Sequence, residues 1–443
     1  MLLFILLTVG LLAWAGTRLI ISRAMDWGLQ DIPNHRSSHV LPTPRGGGAA
    51  IVIASLIGFV LLATLPPLVP AVTGSLWPAP VDTPAWAMDA VHPLRELEAF
   101  APPGIIMLTG ALALAVTGLY DDLRPLSIRQ RLLVQASAVG WLLIFCLYQT
   151  LGGEAVFWQG IDALWQSLPL SGTLTEALAS GRDTLPILLA GGVFTVLLAA
   201  GIWWVNLFNF MDGIDGIAAS QAVFMLGAGV LLRALPTGID PAASAGAPVM
   251  HALSAQTGLP LSPMVDPLSV ISLIIACATT GFLVLNWAPA RIFMGDAGSL
   301  FLGFTILAIG AFDIATQLIA RHGAAHDGLD HLPAVTGNSL WVWLILGALF
   351  ITDATVTLIR RLLSGQNVGD AHRSHAYQRL SRRLGSHARA TLVYCLINIA
   401  WILPLAWAAR HWPESAAPAT ALAYGPLLVC AWLLGAGRKE TAS

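Results

Sequence analysis

The chain has 443 residues, 56% of them hydrophobic and 10% charged, with a formal net charge of -2. Soluble domains carry about 25% charged residues, so the composition excludes an ordinary soluble globule and points to an all-α integral membrane protein. The balanced charge excludes a general attraction to nucleic acid and leaves any basic character local.

A spanning helix needs about 20 mostly apolar residues. That rule predicts about 11 spans, with 10 the other admissible count: 2–22, 49–69, 103–120, 131–149, 184–205, 217–235, 267–287, 299–320, 338–358, 391–410 and 417–436. The first run has no positive residue ahead of its apolar core and many spans follow it, so it reads as an uncleaved helix rather than a signal peptide. Cys146, Cys277, Cys395 and Cys430 all fall inside apolar runs without CxxC spacing and read as small hydrophobes. No internal repeat appears, and residues 1–443 read as a single polytopic domain.

Connections between spans alternate sides. The odd-numbered connections and the C-terminal tail, with the span ends that flank them, hold 17 of the 22 Lys and Arg residues. The positive-inside rule therefore predicts an external N-terminus and a cytoplasmic C-terminus. The even connections, such as "WPAPVDTPAWAMDAVHPLRELEAF", are rich in Pro, Ala and acids and read as external connectors. The polar motifs all fall on the predicted cytoplasmic side, in loops of about 23–48, 121–130, 206–216, 288–298 and 359–390.

The first of these loops, "DIPNHRSSHVLPTPRGGG", combines arginines including Arg45 with a glycine triplet. It reads either as an anion site or as a basic turn. In the second, "GLYDDLRPLSIRQRLLVQ", the adjacent Asp121 and Asp122 can hold a divalent cation or accept a proton, with Arg131 near for phosphate. They can equally form local pairs at a solvated helix end. The third, "NLFNFMDGIDG", carries Asn206, Asn209, Asp212 and Asp215 without any Lys or Arg. Its oxygen ligands suit Mg2+, and the alternative is capping and turning of the chain.

In the fourth loop, "RIFMGDAGSLFLGF", Asp296 marks a helix N-terminus of the kind that favours phosphate, or serves as a cap. It is not a nucleotide P-loop, since no GxxxxGK[ST] occurs. The fifth loop, 359–390, which contains "IRRLLSGQNVGDAHRSHAYQRLSRRLG", has seven arginines with His372 and His375. It can clamp an anionic substrate or lie against lipid headgroups. A zinc site has little support there, because no third N or S ligand is local.

Taken in order, the five motifs resemble the polyprenyl-phosphate N-acetylhexosamine-1-phosphate transferase family, glycosyl transferase family 4, over residues 31 to about 390. The resemblance implies Mg2+-dependent (or Mn2+-dependent) transfer of a sugar 1-phosphate from a UDP-N-acetylhexosamine to undecaprenyl phosphate, releasing UMP. It places Asp121, Asp122 and Asp296 in the catalytic set, and Asp296 and Asn209 on the metal. Arg45, Arg131, Asn206, Asp212, Asp215, His372, Arg373 and His375 would bind substrate. Arg131 stands where the family often has lysine. Asp353 also fits a family position, without an assigned role.

Many members carry further histidines after the HxxH pair, whereas this chain continues "AYQRL". That departure resembles the branch that starts O-antigen or related surface glycans, with GlcNAc or a 6-deoxy-N-acetylhexosamine as the sugar. The alternatives are the phospho-MurNAc-pentapeptide transferase of peptidoglycan synthesis and, from another class, a transporter of polyprenyl-linked sugars. Transport predicts polar residues at the midplane of the spans, and here they gather at one end. The Asp-Gly motif of CDP-alcohol phosphotransferases needs further aspartates on the next helix, and "SQAVFMLGAGVLL" has none. The expected setting is the bacterial inner membrane with the site facing the cytoplasm, the lipid bilayer and the two substrates as partners, no nucleic acid, and a homodimer as the expected assembly.

Overall fold

A backbone inside hydrocarbon has no water to bond to, so each apolar run closes its own hydrogen bonds as a helix. The computed structural model describes residues 2–33, 42–64, 101–150, 184–235, 266–326, 338–367 and 372–439. In chain order its helices are α1 (Leu2–Arg23), α2 (Gly48–Thr64), α3 (Ala101–Leu123), α4 (Ile128–Thr150), α5 (Thr184–Phe210), α6 (Ile217–Ala234) and α7 (Pro267–Asn286). They continue as α8 (Asp296–His326), α9 (Ser339–Leu346), α10 (Ala348–Leu363), α11 (Ala376–Leu384), α12 (His387–Ile397), α13 (Leu403–His411) and α14 (Ala416–Leu434). A two-stranded antiparallel ladder, β1 (Gln30–Asp31) with β2 (Thr43–Pro44), pairs Gln30 with Pro44 and Asp31 with Thr43. His35, Arg36 and His39 of the first motif lie outside the described residues.

Among the described residues, nine helices are long and apolar enough to cross a membrane, α12 and α13 counting as one through the π-helical turn Asn398–Ile402. A tenth span arises if α9 and α10, bent by 66° at Gly347, are taken together. Nine or ten thus stands against the expected eleven. The remaining predicted span is α2, 17 residues long in the described part, and its predicted end at 65–69 lies outside the described residues.

α8 is the axis of the bundle: 83% of its most apolar window is buried, against 22% for α14. It packs on α3 and α5, while α7 packs on α1 and α6. Phe301, Leu302 and Phe304 of α8 are fully enclosed, whereas Leu3, Leu7 and Leu11 of α1 face outward, as a lipid-facing surface permits. Lipid offers no hydrophobic drive for helix association, so close backbone approach and buried amides hold such helices together. Both occur here. Asn206 of α5 and Gln135 of α4 exchange amide hydrogen bonds of 2.7 and 3.2 Å. Gln221 of α6 donates to the Leu346 carbonyl at the α9–α10 bend (3.1 Å) and accepts from Asn398 of the π-turn (2.7 Å).

The two ends of the bundle differ. At one end Arg233 pairs with Asp266 (2.7 Å) and with Asp313, which also accepts from the Ser339 hydroxyl (2.6 Å) and the Trp343 indole (3.0 Å). These groups satisfy one another and tie α6, α7, α8 and α9 together. At the other end, the loops that carry the sequence motifs meet.

Candidate active site

The glycine triplet acts first as a docking element. Phe293 N–H donates to the Pro44 carbonyl (2.8 Å), Gly47 N–H to Phe293 (3.0 Å) and Gly48 N–H to Met294 (2.8 Å). A Cβ on Gly48 would collide with the Gly298 backbone, and one on Gly298 with Gly48 and Met294. Only glycines allow the α2 and α8 N-termini this approach. Ile292 and Met294 are fully buried and anchor the segment that leads into Asp296.

Asp296 begins α8, as the sequence predicts. Its own N–H donates to Asp122 Oδ2 at 3.1 Å, so a carboxylate from α3 caps the helix across 174 residues of chain. Arg45 reaches the same corner, donating to the Asp122 backbone carbonyl. Asp121 faces the other way. Its Oδ1 accepts from Leu126 N–H (2.5 Å), its Oδ2 pairs with Arg131 (3.1 Å), and its carboxyl lies within hydrogen-bonding reach of Asp296. Asn209 Nδ2 donates to Asp296 Oδ1 (2.9 Å) and to Ser299 Oγ (2.9 Å), which leaves its Oδ1 as the oxygen it can offer a cation.

The aspartates and asparagines of the 206–216 loop separate by environment. Asp212 is partly exposed, and its carboxyl is pushed up to about 7 by burial first and then by the negative charge of Asp296, Asp122 and Asp215. Asp215 is committed to structure: Oδ2 accepts from Ala290 N–H (3.0 Å), Oδ1 meets His387 Nδ1 (3.0 Å), and its carbonyl accepts from Thr391 Oγ1 (2.8 Å). Asn206 points at Gln135 on α4 instead of at the carboxylates, so the structure does not bring this expected substrate-binding residue to the cluster.

The HxxH loop packs against the turn at residues 210–213 through Tyr377. His372 and His375 stack at 5.0 Å, and His375 stacks on Tyr377 at 5.5 Å. The Tyr377 hydroxyl donates to the Phe210 carbonyl (3.0 Å) and occupies the space a Cβ on Gly213 would need. His372 is depressed to about 3, by burial first, then by His375 and Arg361, so it is neutral at physiological pH and contributes hydrogen bonds rather than charge. Arg373 is the permanently charged side chain of the HRSH segment.

Four groups in this framework are not singled out by the sequence reading. Ser299 holds Asn209. Asn286 accepts from Gly216 N–H (3.1 Å) and donates to the Ile292 carbonyl (2.8 Å). His387 meets Asp215, and Tyr377 seats the 206–216 loop. Of these, Asn286 leaves the clearest trace, as a lone amide at the end of an apolar run.

Four carboxylates, from Asp121, Asp122, Asp212 and Asp296, therefore gather with two guanidinium groups. At an effective dielectric of about 20, like charges about 4 Å apart repel by about 4 kcal/mol. A hard cation offsets this, and the donor set, all carboxylate and amide oxygen, fits one. Among the described residues no three His, Cys, Asp or Glu side chains form a cage on their own. A Mg2+-type site needs only one or two protein oxygens and fills its shell with water and substrate phosphate.

Fold and site together define a polytopic, all-helical membrane protein with a carboxylate-rich site at one end of its bundle. Residues 104–312 match the profile of glycosyl transferase family 4. The chain is 27% identical over 375 residues to the probable undecaprenyl-phosphate N-acetylglucosaminyl 1-phosphate transferase of Bacillus subtilis (strain 168), covering 85% of this chain and 76% of that protein. It is 26% identical over 439 residues to the decaprenyl-phosphate N-acetylglucosaminephosphotransferase of Mycobacterium tuberculosis (strain ATCC 25618 / H37Rv), covering 97% and 85%. A phospho-N-acetylmuramoyl-pentapeptide-transferase of Mycolicibacterium gilvum (strain PYR-GCK) matches at 29% over 264 residues, covering 58% and 61%. Over residues 104–312 the chain is therefore similar to glycosyl transferase family 4.

Proposed function

We propose that this protein transfers N-acetylhexosamine 1-phosphate from a UDP-sugar to a polyprenyl phosphate, forming a polyprenyl diphosphate-sugar and UMP at the cytoplasmic face of the membrane. The observation that carries the reading is the meeting of Asp121, Asp122, Asn209 and Asp296 at the N-terminus of α8, with Arg45 and Arg131 beside them. The relatives named for GlcNAc-1-phosphate transfer cover most of this chain, and the muramoyl-pentapeptide one 58% of it. That difference favours GlcNAc or a close derivative. The "AYQRL" continuation favours a surface glycan such as O-antigen as the product's destination.

Both reactants are anions, so the site must lower phosphate–phosphate repulsion before bond formation. Asp296, with the Asn209 oxygen, would hold Mg2+, which when bound supplies charge neutralisation at the diphosphate. Arg131, held by Asp121, and Arg373 orient phosphate oxygens as fixed donors. Asp122 keeps the α8 N-terminus aimed at the site, adding backbone dipole to the anion field. A phosphomonoester with a second pKa near 6 is already largely dianionic at neutral pH, so its oxygen attacks the β-phosphorus without a strong base. The bond between the β-phosphorus and the bridging oxygen breaks, and UMP leaves.

Purified protein supplied with Mg2+, undecaprenyl phosphate and a panel of UDP-N-acetylhexosamines should release UMP with at least one sugar. Release of no UMP from any of them would rule the reading out. Chelation by EDTA should abolish release, and added Mg2+ should restore it.

A further inference from the structure

Asp353 sits on α10, outside the carboxylate cluster, with 2% of its surface exposed. A buried carboxylate is costly unless its oxygens are fully bonded. Here they accept from Ala376 N–H (2.8 Å), Tyr377 N–H (2.9 Å), the Tyr394 hydroxyl (3.0 Å), His375 Nδ1 (3.2 Å) and Thr357 Oγ1 (3.3 Å). Two of these donors are orphan N–H groups at the start of α11, so part of the role is a helix cap supplied from another element.

A cap alone does not account for what the bonded groups touch. His375 turns Nδ1–H to the carboxylate, which directs Nε2 away from it and fixes the ring that stacks on His372. Tyr377, whose N–H is held by Asp353, places its hydroxyl on the Phe210 carbonyl, two residues before Asp212. Gly213 has no side chain, and Tyr377 fills that space. The chain of contact runs from α10 through the HxxH loop to the 206–216 loop.

We propose that Asp353 is a positioning residue: without touching substrate, it sets the orientation of His375 and the seat of Tyr377, and so fixes the spacing between the two walls that receive the sugar-nucleotide phosphates. The proposal rests on the sugar-1-phosphate transfer reading. It predicts that Asp353→Asn, which opposes an amide NH2 to at least one of these donors, raises KM for the UDP-sugar roughly tenfold or more. KM for undecaprenyl phosphate should stay within about twofold, since a loss of this kind is confined to one substrate's binding. Tyr377→Phe, which removes the hydroxyl's bonds to the backbone of Phe210 and Gly213, should give the same selective rise at about threefold.

The experiment is steady-state UMP release by detergent-purified full-length protein, with each substrate varied in turn. Unchanged KM values in both variants, or a fall in kcat with both KM values unchanged, would overturn the positioning role, because a purely structural carboxylate would lower only the active fraction. Where Asp353→Asn does not fold, the Tyr377→Phe result decides alone. If the wild-type protein itself releases no UMP, the transferase reading fails and this proposal with it. If the wild type turns over and the variants show no split, only the positioning role fails.

Discussion

Asp296 is where contacts from the ends of α3 and α5 converge: Asp122 holds its N–H, Asn209 holds its Oδ1, and Asp121 lies beside its carboxyl. Asp296→Asn keeps the shape and removes one charge from the set proposed to hold a cation. We predict that UMP release falls by at least about a hundredfold, with elution in detergent unchanged; wild-type rates in this variant would take Asp296 out of the metal site. Asn206 should behave in the opposite way. Asn206→Leu breaks the amide exchange with Gln135, and buried amide pairs between membrane helices contribute about 0.6 kcal/mol, at most about 1.7. The variant should melt slightly earlier yet turn over like wild type per folded molecule, and adding Gln135→Leu should cost little more, because the pair is one interaction.

At the scale of elements, the polar motifs were legible because each stands out against apolar surroundings, and all the described ones meet at one end of the bundle. Direction was not legible. Asn206 and Asn209 are three residues apart, about 300° around a helix, so they look co-facial by spacing. The remaining 60° or so is enough to give one to α4 and the other to α8. The break at Gly347 was hidden too, since 338–358 reads as one uniform apolar run. The asymmetry between Leu346, whose carbonyl is served by Gln221, and its neighbours exists only after folding. Roles that depend on distant partners, such as Asp353 and residues 375–394, were likewise beyond local pattern. The glycine triplet, read as an anion cradle or a turn, instead lets backbones touch. Gly298→Val should therefore impair UMP release about as severely as Asp296→Asn, although it removes no polar group. Full activity would show that the contact with Gly48 does not shape the site.

At the scale of the molecule, the composition alone excluded a soluble protein, and the apolar runs coincide with helices throughout the described residues. Among the described residues the eleven expected spans appear as nine or ten, because the α9–α10 bend divides one of them and the predicted end of α2 lies outside the described residues. The charge bias predicts a site that faces the cytoplasm. A single cysteine introduced as Ser386→Cys, at the α12 N-terminus on the site side, in a chain otherwise free of cysteine should react with a membrane-impermeant maleimide in inside-out vesicles and not in right-side-out ones. The reverse pattern would invert the topology. Transfer of the sugar phosphate is the claim on which the rest depends. It is tested most directly with a UDP-N-acetylhexosamine labelled at the β-phosphorus, incubated with the purified protein, Mg2+ and undecaprenyl phosphate: the label should move into the lipid fraction while the released UMP carries none. Label that stays in the water-soluble fraction while UMP accumulates, or no UMP at all, would contradict the account.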